Sequence, residues 1–412
     1  MSEATPGAAA ETSRWLSFDG VPPGALVLLA GAWLLSLVTQ GFIIIPASIV
    51  DQITAATGVD DATAVWLVSA TPGAWAASNF MVGTVIDRWG DVRVTAAGTA
   101  LFVATAVWCF LAARRGDFAS LLAARIVAGV AIGAIWTAGA NLVGRAFPAA
   151  TSGTAIGVFT ASAPAGFAVT QVSTPPLTAA AGWPAPFALY GALAVLGFVA
   201  FRYGVGRTDP DSPDHDTSVG ADFSTVLGNR AVVLGSVMAF AAYSLYLFLN
   251  SWLPSYLSAT FPITASTSGL IAALFPVMGV LSRSGGGVLS DRLFGGNRLG
   301  VLRLSFLLAS PVVALMVVTS RLAVVVALLI VAGFTIQLSF GAVYAYVREA
   351  VTEDISGTAL SVLGTAGIAG AFTAPLVAGA LIDASGAYTT AFGYAVALGV
   401  VGLALTAVAP DS

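Results

Sequence analysis

The chain has 412 residues, 58% of them hydrophobic and only 9% charged, with a formal net charge of −4. A soluble protein carries about a quarter charged residues, so a water-soluble fold is excluded. All 16 basic residues are arginine. The single Cys109 rules out an intramolecular disulfide and a cysteine-based metal cluster.

Residues 1–20 are acidic and Ala-rich and lack the basic-then-apolar order of a cleaved signal peptide, so they read as a disordered cytoplasmic tail. Apolar segments then follow at 25–49, 62–86, 92–112, 119–143, 152–178 and 184–203. A second set occupies 231–256, 267–289, 301–319, 322–346, 357–382 and 388–408. Each is long enough to cross about 30 Å of hydrocarbon as a helix. Between the sets, 204–230 is a polar cytoplasmic linker that holds the only histidine, His215, and a short surface helix over 222–227. The expected domains are thus a six-helix bundle over 21–203, the linker, a six-helix bundle over 231–408 and a tail at 409–412.

Arginine placement sets the topology. With the N-terminus inside, eleven arginines fall in inner loops and helix ends, against Arg114, Arg115 and Arg321 outside. Both termini are therefore expected in the cytoplasm of a cell-membrane protein.

The two halves repeat. Gly83-Thr84-Val85-Ile86-Asp87-Arg88 matches Gly287-Val288-Leu289-Ser290-Asp291-Arg292, 204 residues on, and Ser152-Gly153-Thr154-Ala155 matches Ser356-Gly357-Thr358-Ala359 at the same offset. An even number of spans per repeat gives the halves the same orientation. In the repeated loop, glycine permits a tight turn or close crossing, and Asp87 and Asp291 can cap a helix or pair with arginine. Bonds of that kind open and close as helices move, so Gly83, Asp87, Arg88, Arg93, Gly287, Asp291 and Arg292 are gate candidates.

Only Arg125 and Arg283 are ionisable and well inside spans. A buried arginine needs anions, carbonyls or water around it. For Arg125 a structural role and a transport role stand side by side. Arg283 presents a planar fork of donors suited to a small anion, or else steadies a helix end. The repeat-related position in the first half is Asn79, which can hydrogen-bond an oxyanion but carries no charge. Further polar candidates for solute contact are Gln40, Trp136, Asn141, Tyr243, Tyr246, Asn250 and Gln337, with Tyr344 beside them; Tyr243, Tyr246 and Asn250 share one helix face by their spacing. Trp252 and Tyr256 suit an outer interfacial rim. No Asp or Glu lies deep in a span, so no dedicated proton relay is visible, and no phosphate-binding loop is present to drive a pump.

Gly83-x-x-x-Asp87-Arg88-x-Gly90-x-x-Arg93 resembles the loop signature of the major facilitator superfamily. Leu121-x-x-x-Arg125-x-x-x-Gly129-x-x-x-Gly133 is similar to its fourth-helix pattern, and Gly157 through Pro164 and Gly166 to its fifth. The resemblance implies an all-α membrane protein of twelve transmembrane helices in two parallel-oriented six-helix repeats, working by alternating access, with spans one, four, seven and ten around the cavity. It also implies a conformational or proton-coupling role for Arg125. Position 91 is Asp where the pattern usually has a basic residue, which is expected to weaken the cytoplasmic charge cluster. The stretch from Arg283 to Arg292 resembles the eighth-helix region of nitrate/nitrite porters, which carry an anion-binding arginine in each half, and Trp252-Leu253-Pro254-Ser255-Tyr256 resembles a pattern in cyanate and organic-anion permeases. The implied activity is transport of a small inorganic or organic anion by a monomer in lipid. The alternatives are proton-coupled export of a xenobiotic or neutral metabolite, and a transporter-fold sensor. No enzyme activity, cofactor, metal or nucleic-acid partner is expected.

Overall fold

The computed structural model describes residues 21–208, 223–283 and 296–410. The expected N-terminal tail, His215 and most of the linker, and Gly287, Asp291 and Arg292 of the second loop lie outside the described residues. Every element among the described residues is helical. That follows from the composition: in hydrocarbon each backbone N–H and C=O must be satisfied within its own segment.

The first group of helices comprises α1 (Pro23–Ile44, continued by a 3-10 turn Ile45–Ser48), the short α2 (Val50–Thr57) and α3 (Asp61–Ala64), and α4 (Trp66–Trp89). It continues through α5 (Asp91–Arg114), α6 (Phe118–Ala146), α7 (Ala149–Thr160), α8 (Ser162–Ala181) and α9 (Ala185–Val205). The expected surface helix is α10 (Phe223–Gly228). The second group begins with α11 (Arg230–Thr260), α12 (Ala265–Ala272) and α13 (274–283). It ends with α14 (Arg298–Val318), α15 (Leu322–Glu349), α16 (Glu353–Ser385) and α17 (Tyr388–Val408).

Eleven helical segments among the described residues are long and apolar enough to cross a membrane. The sequence reading expects twelve. The difference is α4, whose 24 residues span about 36 Å at 1.5 Å each. Its Ser78, Asn79, Thr84, Asp87 and Arg88 keep it outside the apolar class. Polar residues there are affordable only where the helix faces protein or a water-filled space.

Local chemistry sets the ends. Asp117 caps α6 by accepting the Ser120 N–H at 3.0 Å; Asn229 caps α11 and Asn297 caps α14 in the same way. Gly58 and Gly386 close α2 and α16 with φ of 74° and 68°, a backbone that residues with a Cβ avoid.

Within the first group α1 packs on α8 and α9, and α6 on α4 and α5; within the second, α11 packs on α15, α16 and α17, and α14 on α15 and α17. Two crossings recur 204 residues apart. A Cβ on Gly129 of α6 would run into the Thr71 carbonyl of α4, and a Cβ on Gly333 of α15 would run into the Phe275 carbonyl of α13. Glycine at both points lets the backbones touch. The groups meet where α4 packs on α16, α8 on α12, and the turn after α1 on α11.

Short connections make successive long helices antiparallel. One end of the bundle therefore gathers Asp51, Asp60, Asp61, Asp117 and Asp383, and the other gathers Arg88, Arg93, Arg145, Arg202, Arg230, Arg298, Arg303 and Arg348. At the acidic end the groups are closed: Trp66 meets Phe372 at 6.1 Å between ring centroids, and Gly379 lies against Val65 and Ala62. A cleft of only about 30 Å³ remains there, lined by Asp51, Pro175, Pro254 and Gly269 among others. Toward the arginine end, side chains added at Gly83, Gly153, Gly157, Gly341 and Gly357 would meet nothing within 4 Å.

Candidate functional site

The site is built on a broken helix. Helix α7 stops at Thr160, Ala161 forms the joint, and α8 begins at Ser162. In an unbroken helix the Thr160 carbonyl would accept from the residue four positions on. That residue is Pro164, which has no N–H. Arg283, at the described end of α13, takes its place: its Nη1 donates to the Thr160 carbonyl at 3.4 Å. The bond joins the two helix groups.

It satisfies little of the guanidinium. The Arg283 Nε is buried with no hydrogen-bond partner. The cation lies over Phe340 at 4.4 Å and Tyr246 at 5.2 Å from the ring centroids, a favourable but non-directional contact. Tyr243 packs on Phe340 at 4.3 Å, and Tyr243 and Tyr344 lie within mutual hydrogen-bonding reach in the field of Arg283. Tyr246 also stacks on Phe167 of the first group at 5.4 Å, and its hydroxyl is buried without a partner. A cation, an unused N–H and an unused hydroxyl thus converge in an aromatic surround, and among the described residues no carboxylate pairs with Arg283. An oxyanion supplies what these donors lack.

Asn79 lies at the repeat-related junction. Its Nδ2 donates to the Thr365 hydroxyl of α16 at 3.3 Å. Arg283 and Asn79 are 204 residues apart, and so are Thr365 and Ala161 beside Thr160.

Arg125 is differently placed. It is fully buried, and its Nε, Nη1 and Nη2 donate to the carbonyls of Leu67, Phe42 and Ile43 at 2.8, 2.7 and 2.7 Å. The Phe42 carbonyl is again one that a proline leaves open, since Pro46 stands four residues on. The guanidinium also covers the Phe42 ring at 4.8 Å. It ties α6 to the ends of α1 and α4.

The other candidates are dispersed. Asn250 donates to the Tyr246 carbonyl at 2.8 Å, and Gln171 Nε2 donates to its carbonyl and side-chain oxygens at 3.3 and 3.2 Å. Pro254 leaves that Asn250 carbonyl open in turn. Gln337 donates to the carbonyls of Phe275 and Gly333 and fills the space over Gly279. Trp136 packs between Trp75 at 6.0 Å and Phe159 at 5.1 Å. Gln40 is buried with its Nε2 unpaired. Asn141 lies at the arginine end and donates to Asp91 at 3.0 Å.

Three details depart from the sequence reading. Asp91 strengthens the charge cluster rather than weakening it: it is buried at the start of α5, paired with Arg145 and bonded by Asn141. An acid is favoured in a helix's first turn. Trp252 and Tyr256 are buried, not at a lipid rim, because their polar atoms find the Pro375 and Met316 carbonyls at 3.0 and 2.7 Å. In the first loop, Asp87, Arg88 and Arg93 are exposed and form no ion pair among the described residues, and Gly83 has open space beside it.

Sequence reasoning missed Thr160, Phe340, Gln171 and Thr365. A signal existed for two of these contacts: Pro164 and Pro254 mark the open carbonyls at Thr160 and Asn250, though not the donors that reach them. Phe340 gives no such sign. No group of three or more His, Cys, Asp or Glu capable of holding a metal occurs among the described residues.

Comparison with known proteins identifies the family. The chain is 28% identical to the hexuronate transporter of Bacillus subtilis (strain 168), over 77% of this chain and 78% of that one. It is 28% identical to a probable sulfoacetate transporter of Cupriavidus necator, again over 77% and 78%, and 26% identical to the nitrite extrusion protein of B. subtilis, over 76% of each. The family model of the Major Facilitator Superfamily matches residues 28–366 and 232–411. This multi-pass membrane chain is therefore a transporter-family protein rather than an enzyme, and it belongs to the major facilitator superfamily.

Proposed function

We propose that the protein is a secondary transporter of a small anion, with Arg283 as the anion contact and Tyr246, Tyr243 and Asn79 beside it. The observation that carries this reading is the half-satisfied guanidinium of Arg283, part-buried at the junction of the helix groups with its Nε unpaired. Relatives named for a hexuronate, sulfoacetate and nitrite support the anionic class. They span carboxylate, sulfonate and an inorganic ion, so they do not select a branch. A single arginine without a second cation opposite favours a monoanion, and the surrounding tyrosines favour a solute that offers hydroxyls or oxyanion lone pairs. Among the candidates a sugar acid monoanion fits these groups best.

The fold we propose counts α4 as a twelfth span. It comprises two parallel six-helix repeats over 21–203 and 231–408, joined by the linker 204–230. The arginine end faces the cytoplasm of a cell-membrane protein by the positive-inside bias. The state described, closed at the acidic end, is then the inward-facing one. Gly83, Asp87, Arg88 and Arg93, with Gly287, Asp291 and Arg292, act at the inner gate that closes in the opposite state. One chain supplies the whole site, so a monomer suffices.

The test is uptake and counterflow in proteoliposomes with labelled D-glucuronate, sulfoacetate, nitrate, nitrite and cyanate, with and without a pH gradient. Uptake of at least one anion, lost in Arg283→Ala and partly kept in Arg283→Lys, is expected. Anion transport that survives both changes with unchanged affinity removes Arg283 from the site. Movement of only neutral or cationic solutes favours the exporter reading, which the aromatic surround of Tyr246, Phe340 and Phe167 would serve.

A further inference from the structure

The Arg283 bond to Thr160 is made between groups that alternating access must separate and rejoin. Its acceptor exists only because Pro164 withholds an N–H from the Thr160 carbonyl. The second half has no such device: 204 residues after Pro164 stands Ile368, which keeps its N–H. There the cross-group bond runs between two neutral side chains, Asn79 and Thr365. Ala161 keeps helical backbone angles, so α7 and α8 run on as one span and it is the open Thr160 carbonyl, not a helix terminus, that offers negative potential. A cation is attracted to it even with no solute present.

We propose that Pro164 is a positioning residue for Arg283. By keeping the Thr160 carbonyl open it provides a seat that Arg283 occupies in the empty protein, and this link biases the empty protein toward the state closed at the acidic end. The inference deepens the anion reading and rests on Arg283 being at that site. The link is loose, at 3.4 Å against 2.7–2.8 Å for the carbonyl bonds of Arg125. An anion that takes up the Nε and Nη2 edge turns the guanidinium and draws Nη1 from the seat. Solute occupancy and release of the α7–α8 joint then become one event. A ligand shifts a conformational balance only by its differential interaction with the two states, and this exchange of partners supplies such a difference.

The link can be read without knowing the solute. In a Cys109→Ser background, spin labels on Gly153→Cys and Gly357→Cys report the separation of the two groups at the arginine end; both positions have open space around them. The empty protein in nanodiscs should show one predominant long distance. Pro164→Ala restores a helical donor to Thr160, and Arg283→Gln removes the cation. Each should shift the ratio of long to short distances about fivefold toward short, the worth of one modest hydrogen bond. Combining them should shift it no further, because both cut the same link. Arg283→Lys, which keeps a donor on a long stem, should retain most of the long population.

Unchanged distances in Pro164→Ala overturn the inference. If Pro164→Ala does not fold, Arg283→Gln against Arg283→Lys decides, and distances equal to wild type in both overturn it as well. D-glucuronate, sulfoacetate and nitrate uptake by Arg283→Gln, measured in parallel, separates the two readings. Lost uptake with unchanged distances sinks the link alone, and shifted distances with unchanged uptake sink the anion contact alone.

Discussion

Two arginines inside the helix groups, Arg125 fully buried and Arg283 partly buried, answer the same problem in opposite ways. Arg125 meets three carbonyls at 2.7–2.8 Å and leaves no nitrogen unpaired. Arg283 meets one carbonyl at 3.4 Å and leaves its Nε unpaired. Each uses a carbonyl that a proline has opened, Phe42 ahead of Pro46 and Thr160 ahead of Pro164. A buried ionised group is costly unless its hydrogen bonds are filled. Arg125 offsets that cost within its own helix group, while Arg283 leaves part of it for a ligand to offset. What separates a clamp from a binding group here is the number of filled donors, together with the fuller burial of Arg125.

The comparison breaks most readily at Arg125. Arg125→Ala leaves the carbonyls of Phe42, Ile43 and Leu67 without their donor and opens a large hole. The expected loss is about 3–5 kcal/mol, read as failure to recover folded protein in detergent. A folded Arg125→Ala that has lost only transport would make Arg125 a moving part instead. Arg283→Gln is expected to cost about 1 kcal/mol or less, because only one loose bond and two ring contacts go. Thermal unfolding should move by a few degrees at most while anion uptake falls at least about tenfold, the order of one charge-assisted contact. A large stability loss in Arg283→Gln would make the two arginines alike.

A smaller effect tests the seal at the acidic end. Gln171 donates to both oxygens of Asn250, one of which Pro254 leaves open. Gln171→Leu should cost about 1–2 kcal/mol, since it strands a buried carbonyl. Because that bond ties α8 to α11 across the two groups, the variant should also shorten the life of the closed acidic end. Faster labelling of a cysteine placed at Ala62, beside Gly379, checks this. Unchanged labelling confines Gln171 to a packing role.

The span pattern was legible because hydrocarbon tolerates so few sequences. Expected spans such as 322–346 and 388–408 lie within a few residues of α15 and α17. Two short sequence matches share an offset of 204 residues, and the paired crossings of Gly129 and Gly333 fall at the same offset. The site was legible only in part. Arg283 stood out as a charge in an apolar span, and Tyr243 and Tyr246 as a polar face. Sequence gives no direction for a long side chain, however. Asn250, Gln337 and Asn141 look like cavity donors, yet each is engaged by nearby protein groups. Gln337 shows why. Opposite Gly133 in the first half stands Trp75, and 204 residues on the sizes exchange, so that Gln337 lies opposite Gly279 and fills its space. Such volume swaps are invisible until the helices are packed. Asp91 read as a defect for the same reason, because Arg145, its partner, is far along the chain.

The weakest effect is electrostatic and lies at the acidic end, where the contrast between filled and unfilled groups recurs in exposed form. Asp60 caps α3 by accepting the Thr63 N–H at 2.6 Å, which holds its carboxyl below the ordinary 3.8. Its contribution is present above that value and is lost as pH falls through the lowered one. Asp61 has the opposite sign. Partial burial, and then the charges of Asp51 and Asp60, raise its carboxyl above 3.8. The folded protein therefore holds that proton more tightly than the unfolded chain does. As pH rises from about 3.8 through the raised value, ionisation of Asp61 costs stability, and the cost persists above it. Asp61→Asn should remove that cost and stabilise the protein slightly near neutral pH, by about 0.5 kcal/mol or less because the site is largely solvated. At acid pH, where Asp61 is protonated, the variant and wild type should unfold together. A stabilisation that persists at acid pH would trace to lost packing or capping rather than to charge.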